Sequence, residues 1–552
     1  MRTLWTVSLW RIDMFKNVIT FIFTLLIGGS LFAQDFQKYD ISATKIEKKA
    51  YEKYIGKSDK TDYRYEKDTI IDVDEKIDGN IIVIEGDLTV KGQVDGDILV
   101  ILGKVKIENS AVINGNVTSV DGRIYQEEKS LINGNQIETK IKNLFPREEW
   151  DDDFEEDFER SRFGRNLDRY EDNYSTLPLG KQDNSILVRY NRVQGLFLGV
   201  AAPKSISGKY NKFTIHGFLG YGFQEKRWNY EVGLDRWFFD QRDYRFELGA
   251  SAYDFTDTRD NWMITPTENS LAAFFLHKDF QDFYRRYGYE FHACQNLSIF
   301  LQGKIGYRND SYEILNKNTN WSLFRGGRNF NENPIIEEGN MRSIYGEIYY
   351  DTRNNKKNPS RGWYAKLSGE TSNSGLNSDF SFNQYILELR TYQKTGRYER
   401  IDTRLKIGTG EGDLPVQKGF ELGGISTLRG FGFKQFRSDI DTLAIFHSGY
   451  DRMLLGNIEY NIDPKIFSTG IPLIDEIQYI FFFDFGNVWN SFDVTNKNEF
   501  YNGFSHLKWN DIKSDFGIAF SSRDGNVRIN IAKRLDTAEK PFTITYRLSK
   551  PF

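Results

Sequence analysis

The sequence predicts an all-β chain, a transmembrane antiparallel β-barrel preceded by a small β-solenoid-like domain. Three observations carry this reading. From about Ser185 to Phe552 apolar and polar residues alternate with a period of two. Between 69 and 139, Asp-Gly and Asn-Gly corners recur every 17 to 19 residues. Beyond the N-terminus, no stretch approaches the roughly 18 apolar residues that a membrane helix needs. At 552 residues the chain is too long for one ordinary domain, and 15 % aromatic content with 44 Phe, 31 Tyr and 47 Gly is unusual for a soluble enzyme. A mean hydropathy of -0.56 disfavours membrane helices but not a barrel, in whose strands only every second residue meets lipid. The net charge of -5 gives no reason to expect nucleic acid. Cys294 is the single cysteine, so an intrachain disulfide and a multi-cysteine metal site are excluded.

Residues 1–33 read as a signal peptide. Lys16 precedes an apolar run from Val18 to Phe32, and Ala33-Gln34 is the expected cut. Met14 is an alternative start, because Met1 to Asp13 adds a tryptophan-rich extension that export does not need. No cysteine lies near the cut, which argues against a lipid anchor. The mature chain is then secreted, periplasmic or an outer-membrane barrel. A polar segment follows over 34–68.

Over 69–139 the glycines 79, 96, 115 and 134 stand in Ile77-Asp-Gly-Asn80, Val94-Asp-Gly-Asp97, Ile113-Asn-Gly-Asn116 and Ile132-Asn-Gly-Asn135. A second series, Gly86, Gly103 and Gly122, interleaves seven residues later each time. Short β-branched runs such as Ile81-Ile82-Val83-Ile84 lie between them. Tight corners at a regular period suit the coils of a β-solenoid, which bury their aliphatic positions in one column. A pair of β-hairpins with Asp-Gly and Asn-Gly turns is the alternative. The segment also resembles the β-helical domain of bactofilin-like proteins, and its exposed end coil could bind a partner strand. Residues 140–184 read as an acidic linker, with Glu148 to Glu159 a run of carboxylates and aromatics kept extended by self-repulsion.

In the period-two region Trp228, Tyr230, Val232 and Leu234 alternate with Asn229, Glu231, Gly233 and Asp235. Leu248, Ala250 and Ala252 alternate likewise with Glu247, Gly249, Ser251 and Tyr253. Long aromatic-rich strands of this kind suit apolar-out, polar-in barrel walls, and 185–552 at roughly 20 to 25 residues per strand and connection allows about 15 to 18 strands. Two segments stand out. Gly423 to Phe433 is glycine-rich around Leu428-Arg429-Gly430-Phe431, a loop that folds back and projects one guanidinium. In Phe481 to Trp489, Phe481, Phe483 and Phe485 fall on one strand face and Asp484 on the other, where a paired arginine makes an enclosed carboxylate tolerable.

This pair resembles the Omp85 superfamily of outer-membrane β-barrels, the bacterial surface antigen type. There a loop with a (Val/Leu/Ile)-Arg-Gly-(Phe/Tyr) tetrad enters the lumen and its arginine pairs with an aspartate on a later strand. Further segments resemble the family by position: Asn191 to Gly199 its first strand, Tyr350-Asp351-Thr352-Arg353 with Pro359 to Gly362 its mid-barrel element, Gly456 to Tyr460 a strand between tetrad and Asp484, and Val527 to Ala532 its penultimate strand. Phe542, Ile544, Tyr546 and Leu548 share a parity with Phe552, as in the C-terminal signal read by the barrel-assembly machinery. The resemblance implies about 16 strands, an outer-membrane location with the N-terminal domain and C-terminus in the periplasm, and a role in inserting or translocating protein or lipid. Its implied partners are outer-membrane lipid, the assembly machinery for the chain's own insertion, and a polypeptide substrate or periplasmic partner; nucleic acid is not among them. The alternative is a binding or scaffold protein whose solenoid captures a partner while the barrel anchors it. The family's POTRA domains are not legible between Gln34 and Lys181, where the solenoid stands. No patatin-like Gly-x-Ser-x-Gly appears, and the five histidines, His216, His277, His292, His447 and His506, are scattered without metal spacing. The chain is therefore expected to be neither an enzyme nor a holder of a metal or cofactor.

Overall fold

The computed structural model describes residues 39–145 and 186–552, apart from 57–59, 66–67, 85, 203–212, 239–244, 299, 325–326, 328, 354–358, 397, 438–449, 467–476, 492–502, 505–506, 523–524, 526, 537–541 and 549–551. The expected signal peptide, most of the acidic linker, His447 and His506 lie outside the described residues. The chain divides into two compact units, Met1–Arg169 and Tyr170–Phe552.

The first unit is a β-solenoid with three faces. One stack runs Asp62–Tyr65, Asn80–Ile84, Ile98–Ile101, Val117–Val120 and Gln136–Thr139, and the other two faces carry four short strands each. Among the described residues every pairing in this unit is parallel, with Ile81 beside Ile98, Ile98 beside Val117 and Val117 beside Gln136. Hairpins pair antiparallel, so the hairpin alternative falls and the solenoid reading holds. The register advances by the spacing of the glycine corners for a steric reason. A Cβ on Gly96, Gly115 or Gly134 would run into the carbonyl of the glycine one coil below, and Gly103 and Gly122 meet the same limit in the second series. Asn80 Oδ1 accepts from Asp97 N at 3.0 Å, Asp97 Oδ1 from Asn116 N at 2.7 Å, and Asn116 Oδ1 from Asn135 N at 3.0 Å, which satisfies each corner from below.

Ile81, Val83, Ile98, Val100 and Val117 fill the column. Their neighbours Ile82, Ile84, Leu99, Ile101 and Val120 point the other way and are buried too, under helix α1 (Tyr39–Tyr54) through Ile46 and Ala50, and under Ile141, Leu144 and Phe145. Two covered faces explain why these strands read as unbroken aliphatic runs. The sequence predicts a polar segment over 34–68; the structure puts α1 there, and Asp62–Tyr65 joins the solenoid sheet.

Among the described residues the second unit is an antiparallel sheet of sixteen strands in chain order, from Ile186–Asn191 and Gly195–Ala202 to Arg528–Arg534 and Thr543–Arg547, forming the expected barrel. Outward residues such as Trp228, Tyr230, Val232 and Leu234 are exposed, while Asn229, Glu231 and Asp235 are buried on the inner face. The inner face is held by charge pairs. Arg286 lies 2.7 Å from Asp257, Arg308 2.7 Å from Glu290 and Arg390 2.6 Å from Glu388. Asn191 to Gly199 is not one strand. Asn191 closes the first strand, its Oδ1 accepts from Val193 N at 3.0 Å and Gln194 N at 2.7 Å, and Gly195 opens the second strand at φ +63°. Asparagine capping its own backbone and a glycine in the left-handed region make a tight hairpin there.

Candidate functional site

The glycine-rich loop after the eleventh strand (Glu399–Gly412) turns into the barrel. Leu428 and Phe431 are buried with Phe420, Leu422, Met453, Leu455 and Val488, and these apolar contacts fix the loop's two sides. Gly423 and Gly424 take φ of +116° and +96°, which lets the backbone double back. Between the anchors, Arg429 is 1 % exposed.

Its guanidinium uses every edge. Nε donates to Asp484 Oδ2 at 2.7 Å and Nη2 to Asp484 Oδ1 at 2.6 Å, a two-pronged pair, while Nη1 donates to Glu459 Oε1 at 2.5 Å. The Phe482 ring lies beneath it with its centroid 3.6 Å from the guanidinium carbon. Asp484, on the thirteenth strand (Ile477–Trp489), is also held by Asn457 Nδ2 at 2.7 Å. Glu459, on the twelfth strand (Arg452–Ile462), takes two further bonds from Arg528 of the fifteenth, at 3.0 and 2.8 Å. Gly430 lies so close to the wall that an added Cβ would stand 2.8 Å from Asp515 Cβ. Its carbonyl accepts from Thr543 Oγ1 on the last strand at 3.0 Å, and Arg404 of the eleventh strand donates to Ser426 O at 2.7 Å.

The expected partners Arg429 and Asp484 thus meet, and Leu428, Gly430 and Phe431 seat them. Glu459, Asn457 and Arg528 were missed. Their signal was present, since Asn457 and Glu459 share one parity in Gly456 to Tyr460 while Ile458 and Tyr460 hold the other. Farther along the same loop, Lys434 sits 2.6 Å from Asp260, 2.6 Å from Asp282 and 3.2 Å from Glu421. Burial alone would lower its ammonium pKa, but the three carboxylates outweigh that and hold it above the usual lysine range.

At the C-terminus Phe542, Ile544 and Tyr546 form the expected exposed row. Phe552 departs from it. Its ring lies 5.3 Å from the guanidinium of Arg404, whose side chain is buried; the strand ends at Arg547, and the N–H of the half-buried Leu548 is taken by Glu268 at 2.6 Å.

The neighbouring third to sixth strands also gather histidines that spacing could not relate. His216 Nδ1 is 2.9 Å from Asp235 Oδ2, and His292 Nε2 is 2.9 Å from Glu247 Oε1 and 3.4 Å from Asp235 Oδ1. One donor atom each from Asp235, Glu247 and His292 fits within 4.8 Å, a set able to hold a cation. Gly249, paired with both Asp235 and His292, leaves the space, since a Cβ there would strike both side chains.

The family model for the Omp85 superfamily domain matches residues 197–546. Over 161 residues the chain is 27 % identical to the outer membrane protein assembly factor BamA of Nitratidesulfovibrio vulgaris, a match covering 28 % of this chain and 19 % of that protein. Among solved structures it is similar to BamA from Haemophilus ducreyi lacking POTRA domains 1–3, with 14 % identity over 66 % of this chain and 71 % of that one and a TM-score of 0.42. It is also similar to CdiB from Escherichia coli, with 10 % identity, 65 % and 60 % coverage and a TM-score of 0.35. The family match spans more than half of the 552 residues, and the chain therefore belongs to the Omp85 superfamily.

Proposed function

We propose that this outer-membrane barrel acts in inserting or translocating polypeptide, or lipid, at the outer membrane, and that it is an assembly or transport factor rather than an enzyme. In this reading the solenoid and the C-terminus face the periplasm, lipid surrounds the barrel, and the assembly machinery inserts the chain itself. The supporting observation is the arginine loop, which bonds from inside to the eleventh, twelfth, thirteenth and sixteenth strands and packs Phe431 under Arg534 of the fifteenth. A loop so placed can hold the C-terminal side of the wall in register while the barrel carries a substrate. Membership of the superfamily, and the assembly role printed for the BamA relative, point the same way.

The test is reconstitution of the purified full chain into liposomes, offering an unfolded outer-membrane barrel as substrate and scoring its conversion to a compact, heat-modifiable form. Conversion above empty liposomes that falls in Arg429→Ala, with the variant still exported and membrane-bound, is the expected result. Conversion no greater than in empty liposomes would refute the reading.

A further inference from the structure

Among the described residues, strand ladders join each of the sixteen strands to its chain neighbour, and none joins the first, Ile186–Asn191, to the last, Thr543–Arg547. A helix stands at both edges instead. Helix α2 (Pro266–Leu276) lies in the connection between the fifth strand (Phe246–Asp257) and the sixth (Tyr284–Asn296). Its start is fixed by a capping box. Thr265 Oγ1 accepts from Glu268 N at 3.2 Å and Glu268 Oε2 accepts from Thr265 N at 3.2 Å, with Pro266 in the first turn.

The same Glu268 carboxylate reaches the last strand. It accepts from Arg547 Nε at 3.2 Å, from Arg547 Nη2 at 3.1 Å and from the backbone N–H of Leu548 at 2.6 Å. Two residues on, Ser270 Oγ accepts the backbone N–H of Tyr190 on the first strand at 3.1 Å, while its own hydroxyl donates to Pro266 O at 2.7 Å. Successive amides of a strand point to opposite edges, so the amide that bonds to α2 is one that does not serve the second strand. One helical turn therefore grips a backbone group at each end of the sheet.

The helix also faces outward. Tyr190 shares its parity with Ile186 and Val188, which are exposed on the barrel's outer face. Its ring meets Phe274 edge-on at 5.4 Å and Trp321 at 5.9 Å. Asn269 and Ala273 are buried on one side of α2, whereas Leu271 and Phe275, one turn apart, are 39 % and 36 % exposed on the other, and Leu276 at the end of the last turn is 55 % exposed. An apolar stripe presented beside the outward residues of the first strand continues the apolar wall of the barrel, and the solvent that suits it is hydrocarbon.

We propose that α2 is a wedge in the barrel wall. It stands where a ladder between the first and last strands would be, presents Leu271, Phe275 and Leu276 to membrane lipid, and has to withdraw before the seam can admit a chain. That last step rests on the function proposed above; the wedge and its lipid face do not.

The test begins in a Cys294→Ser background with Tyr190→Cys and Ser270→Cys. Oxidation should cross-link the pair in most molecules and lower substrate conversion in liposomes at least tenfold, and reductant should restore it. A heat-modifiable barrel that does not cross-link overturns the wedge. Equal conversion in oxidised and reduced protein overturns the withdrawal step and leaves the proposed function standing. Conversion in neither form overturns the proposed function, and the wedge is then judged on cross-linking and lipid contact alone. For lipid contact, a fluorophore on Phe275→Cys should be quenched by acyl-chain nitroxide lipid and not by iodide; the reverse overturns the lipid face. If the cysteine pair does not fold, Glu268→Gln loosens the hold on Arg547, and bilayer conductance should rise at least threefold. Unchanged conductance would overturn the wedge.

Discussion

Arg429 serves two carboxylates at once, which sets the scale of what its loss would do. Removing it strips both guanidinium bonds from the fully buried Asp484, which keeps the Asn457 amide, while Glu459 keeps Arg528. Breaking a buried pair by deleting one partner costs about 3–5 kcal/mol, so Arg429→Ala should unfold at clearly lower urea when the compact gel band is titrated. Arg429→Lys keeps the charge but not the fork, and should fall between the two. Matching midpoints for parent and alanine variant would contradict this account. Gly430→Ala should cost about 1–3 kcal/mol through overpacking against Asp515, a lesser loss because the loop can shift, and the same titration measures it. The Arg429 to Asp484 pairing was legible because a glycine-framed arginine and a carboxylate on the polar parity of an aromatic strand each look unusual alone. Glu459 and Arg528 escaped notice because their convergence depends on register, which sets Glu459 opposite Phe482 on the neighbouring strand and brings Arg528 across from farther round the wall. The His216 and His292 cluster escaped for the same reason, built as it is across four strands.

Elements were readable in proportion to how far their pattern answers to one environment. The solenoid coils turn on glycine corners at a regular spacing and the barrel strands have one lipid face, so corner spacing and period exposed both. Helix α2 carries a Thr-Pro-x-Glu start from Thr265 to Glu268, a readable capping box, yet it is only 11 residues long and lies between strands, where the period-two reading masks it. Helix α1 was overlooked because its large aliphatic residues are only Ile41 and Ile46, and Ile46 and Ala50 gain meaning only against a sheet whose second face needs cover. The solenoid's corner ladder also makes a pH prediction. In the folded chain Asp95 titrates at about 2, below its ordinary 3.8, chiefly because the Asn114 amide donates to it, with Lys76 and Gln93 adding to the hold. The unfolded chain takes up the proton more readily, so this group's contribution is present above about pH 4 and drains away as pH falls toward 2. Asp95→Asn should therefore flatten the fall in the solenoid's melting temperature between about pH 4 and pH 2, followed by circular dichroism. An unchanged slope would show that the ladder does not govern acid stability.

At the scale of the whole molecule, each unit holds its own core. The aliphatic column and the α1 face belong to 39–145, and the inner charge pairs, the arginine loop and α2 all belong to 186–552. Stability changes at sites that share no partners add independently, usually to within about 0.5 kcal/mol. Deleting 39–145 while keeping residues 1–38 should thus leave the barrel's urea midpoint and its shift on boiling where they are in the full chain, and the parent should melt in two separable transitions. A barrel that loses its compact band on this deletion would mean that the solenoid is part of the barrel's fold. If the band survives, substrate conversion by the shortened chain decides between roles. Conversion at the parent's level makes the barrel sufficient for the chemistry of insertion, since the arginine loop and the α2 seam are both retained. Conversion lost from an intact barrel assigns the solenoid to substrate delivery, in the part of the chain where POTRA domains are not legible and the parallel coils stand.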